Sequence, residues 1–299
     1  MRVADTTLAA ELAGRLDAQQ ATINSLNDQL SSGLALQQPS DNPVAVVNTL
    51  SYERQAAQLQ SAQSSATTAL AWLGTANGAA NSILSALGTV RSLVLQALNS
   101  GAQNTATYRA MASQVQGQFQ SLVELANTTY GTTPIFAGTA GVSSAYTASG
   151  TYQGNNASFD IAFPNGQKVN VSVSGTAMFG GTGGVQSLFT TLGNLITHLN
   201  AGPSATTQSN LQADLSSLDA NVTQARNAAT KLGAWTDQVQ AIQSAVSATS
   251  TQIQTVLANT KDVNIAAVTT QLQQDLVSYQ AALYVTSKTI PETLAALIA

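Results

Sequence analysis

Cysteine is absent from this 299-residue chain. Disulfides, thiolate nucleophiles and cysteine-based metal sites are excluded with it. A thiol-free chain also suits export in an unfolded state. Charge is scarce: 8% of residues are charged, against about 25% in ordinary soluble domains. The net charge is −4 and there is no dense Lys/Arg run, so no phosphate-tracking surface for nucleic acid is expected. Aromatic residues make up 5%, too few for a stacking platform. His198 is the one histidine. Without a second histidine or clustered carboxylates no metal site or cofactor is expected. There is no Gly-x-Ser-x-Gly elbow, and no glycine-rich loop leads to a Gly-Lys-Ser/Thr step. The chain is expected not to be an enzyme. Asp214 and Asp219 read as solvated carboxylates on helix faces. No apolar run approaches the roughly 18 residues of a membrane span, so no membrane insertion is expected. The start, Met1 to Leu8, is amphipathic and does not read as a cleaved signal peptide.

Ala, Ser, Thr, Gln and Asn fill the space that charge leaves. Such surfaces can be buried against copies of themselves without stranding charges. A low-charge extracellular protein fits the same composition.

The most informative stretch runs from residue 30 to 47. Gly33 can end a helix in the left-handed region. Pro39 and Pro43 bracket Ser40, Asp41 and Asn42; Asn42 is a good N-cap and Pro43 a good first helical residue. One helix is thus expected to stop near 32 and another to start near 43. Residues 5–32 carry a coiled-coil-like seam, with Leu16, Ile23 and Leu30 in one register, Leu12 and Leu26 in the other, and Gln19 as a polar interruption. Residues 43–100 continue as helix, with Val46, Val47, Leu50, Leu73, Ile83, Leu87 and Val90 among the expected buried positions. Gly74 and Gly78 could bend or thin it. Another helix follows from 105 to 128.

Helical period vanishes from Gly131 to Gly184. Residues 158–163 and 168–173 alternate with period two across Pro164-Asn165-Gly166-Gln167, which predicts a β-hairpin. Helix returns near 185. Residues 206–259 hold the cleanest heptads, with Leu232, Val239, Val246 and Ile253 at one position and Trp235, Ile242, Thr249 and Val256 at the other. Lys261-Asp262-Val263-Asn264 is a second hinge, with Asn264 as N-cap. The last helix carries Ile265, Val268, Leu272, Leu276, Tyr279, Leu283 and Ile290. Pro291 is expected to interrupt it, with Thr289 to Glu292 reading as a capping box for a short final turn.

The expected fold is mainly α with a small β-rich insertion. It is an elongated antiparallel helical rod, with the N- and C-terminal helices paired coiled-coil-like at one end and the β domain at the other. The expected domains are a terminal helical core (1–42 and 262–299), a helical rod (43–130 and 185–261) and a β-rich tip (131–184). The assembly interface is assigned to Leu12, Leu16, Ile23, Leu26, Leu30, Leu272, Leu276, Tyr279, Leu283 and Ile290. The hinges are assigned to Gly33, Pro39, Asp41, Asn42, Pro43, Asp262 and Asn264.

Several of these stretches together resemble the flagellin superfamily. Leu30-Ser31-Ser32-Gly33-Leu34 followed by Pro39-Ser40-Asp41-Asn42-Pro43 is similar to its N-terminal signature, in the form found in its hook-associated protein 3 branch. Leu125-Ala126-Asn127-Thr128 with Phe136-Ala137-Gly138-Thr139, Tyr152-Gln153-Gly154-Asn155, Ala225-Arg226-Asn227, Lys261 to Ala266 and Tyr279 to Leu283 resemble further family motifs in the same order. Ala35 stands where an arginine is frequent, and Asn264 where an aspartate is usual.

The resemblance implies a structural adaptor of the bacterial flagellum, outside the cell at the hook–filament junction, leaving through the flagellar type III export channel. It implies hook-associated protein 1 and flagellin as partners, copies of itself in a ring or tube, and an export chaperone at the C-terminal region. The alternatives are flagellin itself, a coiled-coil secretion-system translocator and, remotely, an enzyme carried on a flagellin-like rod. The terminal segments are expected to be weakly ordered alone and to fold together on assembly.

Overall fold

A computed structural model describes the backbone of all residues except 1, 41, 100–103, 165, 182 and 299, and the side chains of those residues other than 2–6, 8, 9 and 288–298. Asp41 and the side chain of Ile290 lie outside the described residues. The elements are α1 (Arg2–Ser32), α2 (Pro43–Asn99), α3 (Thr105–Ala126), β1 (Thr129–Tyr130), β2 (Thr133–Pro134), β3 (Asp160–Ala162), β4 (Lys168–Asn170), α4 (Gly175–Phe179), α5 (Leu188–Asn200), α6 (Ala205–Lys261) and α7 (Ile265–Ile298). The chain is mainly α with a small β-rich insertion, as its periodicity predicts.

The helix starts are set by side-chain caps. Asn42 Oδ1 accepts from the Ala45 N–H at 3.0 Å, Asn104 Oδ1 from Thr107 at 2.9 Å, Ser204 Oγ from Thr207 at 3.0 Å and Asn264 Oδ1 from Ala267 at 3.2 Å. Each satisfies one amide that has no partner within its helix. α2 runs unbroken through Gly74 and Gly78, because both keep the helical ladder and only lack a side chain. α7 continues through Pro291, contrary to the expected interruption. A proline removes one ladder bond and crowds one carbonyl, and Glu292 and the run Leu294 to Leu297 that follow are good helix formers.

Two compact units make up the chain. One comprises Met1–Ala57 with Thr249–Ala299, the other Gln58–Ala248. The division falls inside α2 and α6, so each of these helices contributes to both.

The second unit holds the large core. α2 and α6 run antiparallel there: Ser247 Oγ donates to Gln63 Oε1 at 3.4 Å, Asn77 Nδ2 to Thr236 Oγ1 at 3.1 Å, and Arg91 Nε to Asp219 Oδ1 at 2.7 Å. Leu73, Ile83, Leu87, Val90 and Val94 of α2 are buried with Leu211, Leu218, Leu232 and Val239 of α6. α3 packs on α5, with Phe119 edge-on to Phe189. By length and composition α2 is apolar enough to cross a membrane, which a search for one continuous apolar run does not detect. Its buried face in this unit is that of a core helix.

The predicted hairpin forms: Ile161 pairs with Val169 and Ala162 with Lys168. Phe163 and Gln167 close the loop through an N–H···O bond of 2.8 Å. Asn127, at the end of α3, donates from Nδ2 to the Tyr146 carbonyl at 2.9 Å and accepts at Oδ1 from the Tyr146 N–H at 2.8 Å. This clasp ties the irregular segment to the helices. Gly138 is required where it stands: its φ is +67° and a Cβ would run into Asn155. Asn155 Oδ1 in turn accepts from the N–H groups of Thr139 and Ala157. An aromatic cluster of Phe136, Tyr146, Phe179 and Phe189 fills the space between. Trp72 is buried, stacked on Phe159 at 4.8 Å.

The first unit has little core. Among its described residues only Ile23, Thr49 and Ile253 are buried. Val47 and Leu50, expected inside, are 64% and 53% exposed. Apolar identity alone does not bury a side chain when no element of the chain covers its face.

Candidate assembly site and connectors

The seam of α1 is the one the heptads predict. Leu12, Leu16, Gln19, Leu26 and Leu30 are half-buried and Ile23 is 4% exposed, a strict alternation of four- and three-residue steps. α7 packs antiparallel against it, and Gln19 Nε2 donates to the Asp275 carbonyl at 3.3 Å. The polar interruption is thus met by main chain rather than left unpaired.

The matching side of α7 differs from expectation. Val268, Thr269, Leu272, Asp275, Tyr279, Ala282 and Thr286 are the described residues withdrawn from solvent. Leu272 and Tyr279 are half-buried on this side. Leu276 and Leu283 are 40% and 43% exposed and flank the seam instead of filling it. The 3.6-residue turn carries them off the face that Leu272 and Tyr279 define. Ile265, Val277, Tyr284 and Val285 are more exposed still. α7 therefore has two apolar sides, and α1 covers one.

The two connectors meet. Gly33, at φ +73°, ends α1 with its N–H on the Gln29 carbonyl at 2.9 Å. Its own carbonyl accepts from the Val263 N–H at 3.0 Å, and the Ala35 N–H donates to the Lys261 carbonyl at 2.8 Å. Leu34 and Asp262 thus form an antiparallel bridge. Because the bond at Ala35 is made by its main chain, the alanine loses nothing at this bridge. Lys261 Nζ adds an ion pair to Glu53 of α2 at 2.8 Å. Asn42 and Asn264 are the caps of the helices that leave the bridge. Pro43 is the first residue of α2, and Asp262 is exposed. Pro39 is exposed too and lines a cleft of about 200 Å³ with Leu36, Val46, Thr49 and Lys261.

Chemistry elsewhere is limited. Among the described residues no group of three His, Asp or Glu side chains could hold a metal ion. Asp219 is half-exposed and paired with Arg91. Asp214 is buried, not solvated: His198 Nδ1 lies 2.6 Å from its Oδ2. A helix position in the sequence carries no sign of the residue that another helix sets against it. Burial pushes the Asp214 carboxyl above its usual range, although the His198 hydrogen bond and charge pull it down. The folded chain therefore holds this proton more tightly than the unfolded one. The stability this group gives is full below the ordinary carboxylate pKa of about 4 and is lost as pH rises through the folded value. Asp214→Asn keeps the shape and removes the titration. Its melting temperature should gain on that of the parent chain as pH rises from about 4. A gain that shrinks with rising pH would mean that the His198 contact outweighs burial.

The fold has counterparts among solved structures. Residues 3–141 match the bacterial flagellin N-terminal helical region. Nearly half of the chain is therefore similar to this flagellin region. The chain shares its fold with a protein assigned as a flagellar hook-associated protein of Vibrio parahaemolyticus (TM-score 0.68, 19% identity, 74% of this chain and 100% of that one). It also matches Bacillus cereus FlgL (0.61, 18%, 70% and 99%) and the flagellar junction protein FlgL of Legionella pneumophila (0.59, 15%, 73% and 100%). Comparison with curated proteins returns no match. The family motifs have structural work in this fold: Asn127 makes the clasp, Gly138 the close approach to Asn155, and Gly33 the connector bridge.

Proposed function

We propose that this chain is a structural adaptor of the bacterial flagellum, joining hook-side proteins to the flagellin filament and assembling through its terminal helices. One observation carries the reading. Apart from Phe159, every exposed large hydrophobic side chain among the described residues lies in the terminal unit. A chain with only 8% charged residues that leaves apolar faces bare there has a surface suited to burial against other subunits. The fold shared with hook-associated and junction proteins favours the junction. The partners that follow are hook-associated protein 1 on one side, flagellin on the other, copies of the chain in a ring or tube, and an export chaperone at the C-terminal region before secretion. The site of action is outside the cell.

The flagellin-type N-terminal region also fits a filament subunit, and one experiment separates the two. Immunogold electron microscopy of flagella should place label at the hook–filament boundary. Label along the whole filament would establish the filament subunit instead.

A further inference from the structure

α1 meets α7 off centre. On a helix turning about 100° per residue, Ile265, Leu272, Leu276, Tyr279 and Leu283 form one apolar stripe no wider than about 60°. By apolar area alone α1 should lie over the middle of this stripe. It does not. The covered side keeps Leu272 and Tyr279 and takes in Val268, Asp275, Ala282 and Thr286. Ile265, Leu276 and Leu283 stay 64%, 40% and 43% exposed. An aspartate, an alanine and a threonine thus occupy the contact while two leucines stand beside it.

Gln19 supplies a physical reason. It is the polar member of the α1 seam, half-buried between Leu16 and Ile23. A carboxamide withdrawn from water needs a hydrogen-bond partner. Its Nε2 finds one in the main-chain carbonyl of Asp275 at 3.3 Å. The Asp275 side chain is engaged on its own helix, where Oδ1 accepts from Gln271 Nε2 at 3.1 Å. Moving α1 to the middle of the stripe would break the bond to the carbonyl. It would also set the Gln19 carboxamide against Leu272 and Leu276, whose side chains offer no acceptor.

We propose that Gln19 is a positioning residue: its bond to the Asp275 carbonyl holds α1 to one side of the α7 stripe and keeps Leu276 and Leu283 uncovered while the pair is closed. A single polar residue in an apolar seam fixes how two helices pair at a cost in stability. Here what it fixes is the face of α7 that α1 meets. The inference concerns packing within one chain, so it holds for a junction piece and for a filament subunit alike. The rival determinant is the connector. Only Val263 and Asn264 separate the bridge at Asp262 from the first residue of α7, and so short a link also constrains how the helix is turned.

Gln19→Met separates the two. Methionine keeps the length of the side chain and removes its donors and its carbonyl. Because the chain has no cysteine, single thiols can be placed by Ala282→Cys, on the covered side, or by Leu283→Cys, beside it. Alkylation of the free chain is read as the rate at position 283 divided by the rate at position 282, since opening of the pair speeds both. With Gln19 in place the ratio should exceed one. With Gln19→Met it should fall below one, because position 283 turns inward and position 282 outward, and circular dichroism should show the helix retained. An unchanged ratio would assign the rotation to the connector and overturn the proposal. A ratio near one, with both rates raised and terminal helix lost, would overturn it as well, since Gln19 would then only hold the pair together. A ratio of one or less with Gln19 in place would remove the off-centre packing itself.

Discussion

Ile23→Asp should release α1 from α7 and leave the second unit folded. Ile23 is the one described side chain of α1 that is buried. Shortening such a side chain to alanine costs about 2–5 kcal/mol, and an unpaired carboxylate there adds several kcal/mol more. The terminal pair has few other buried groups to absorb that loss, and a short helix pair buries too little to stand without them. The second unit has its own core, from Ala66 on α2 to Val239 on α6, and none of it touches the substitution. Circular dichroism should show helix lost from the terminal segments, with the main melting transition unchanged. Trypsin should cut at Arg15 and stop short of the second unit. Leu276→Asp is the contrasting change. Its side chain is 40% exposed, so a carboxylate there stays hydrated and the α1–α7 pair should keep its helicity. Assembly should still fail, because the charge falls on the uncovered side of α7. If both variants lost the same amount of helix, the distinction between seam and outer face would be wrong.

That contrast marks where the sequence is legible and where it is not. The α1 seam can be read without error because its apolar residues are few and fall on one heptad frame. α7 is harder: Leu, Val and Tyr occur on two sides, and nothing local tells which side meets α1. The answer depends on Gln19 meeting the main chain at Asp275, a long-range contact. The connectors are legible as a stop and a start, from Gly33, Asn42 and Asn264. Their joining through Gly33, Ala35, Lys261 and Val263 is a pairing of distant main chain that no residue type encodes. The Asp214–His198 pair was missed for the same reason. Asn127 could have been found: an asparagine directly after a helix, inside a motif, is placed to bond the next segment of chain.

Hydrogen exchange should reveal a wide gap between the two units in the free chain. Protection reflects the free energy of local opening, which follows buried contacts more than helix content. α1 and α7 are long helices, yet their pair has Ile23 as its one fully buried described side chain. Amides of residues 12–30 and 268–286 should therefore exchange early. Those of α2 from Ala66 to Val94, which line the second core, should exchange last. In isolated flagella the terminal amides should slow by about 100-fold or more, the effect of a partner adding about 3 kcal/mol. This change is the physical content of folding on assembly: the apolar sides of α7 and α2 find cover, and the burial gained offsets the cost of ordering the chain. Strong protection of residues 12–30 in the free chain would show that the terminal pair is already stable alone. The bare faces would then be docking surfaces on a rigid piece, and a rigid pair would have to be unfolded to travel an export channel. Low protection in the free chain removes that requirement, because the segments that do the joining have little structure to lose on the way out.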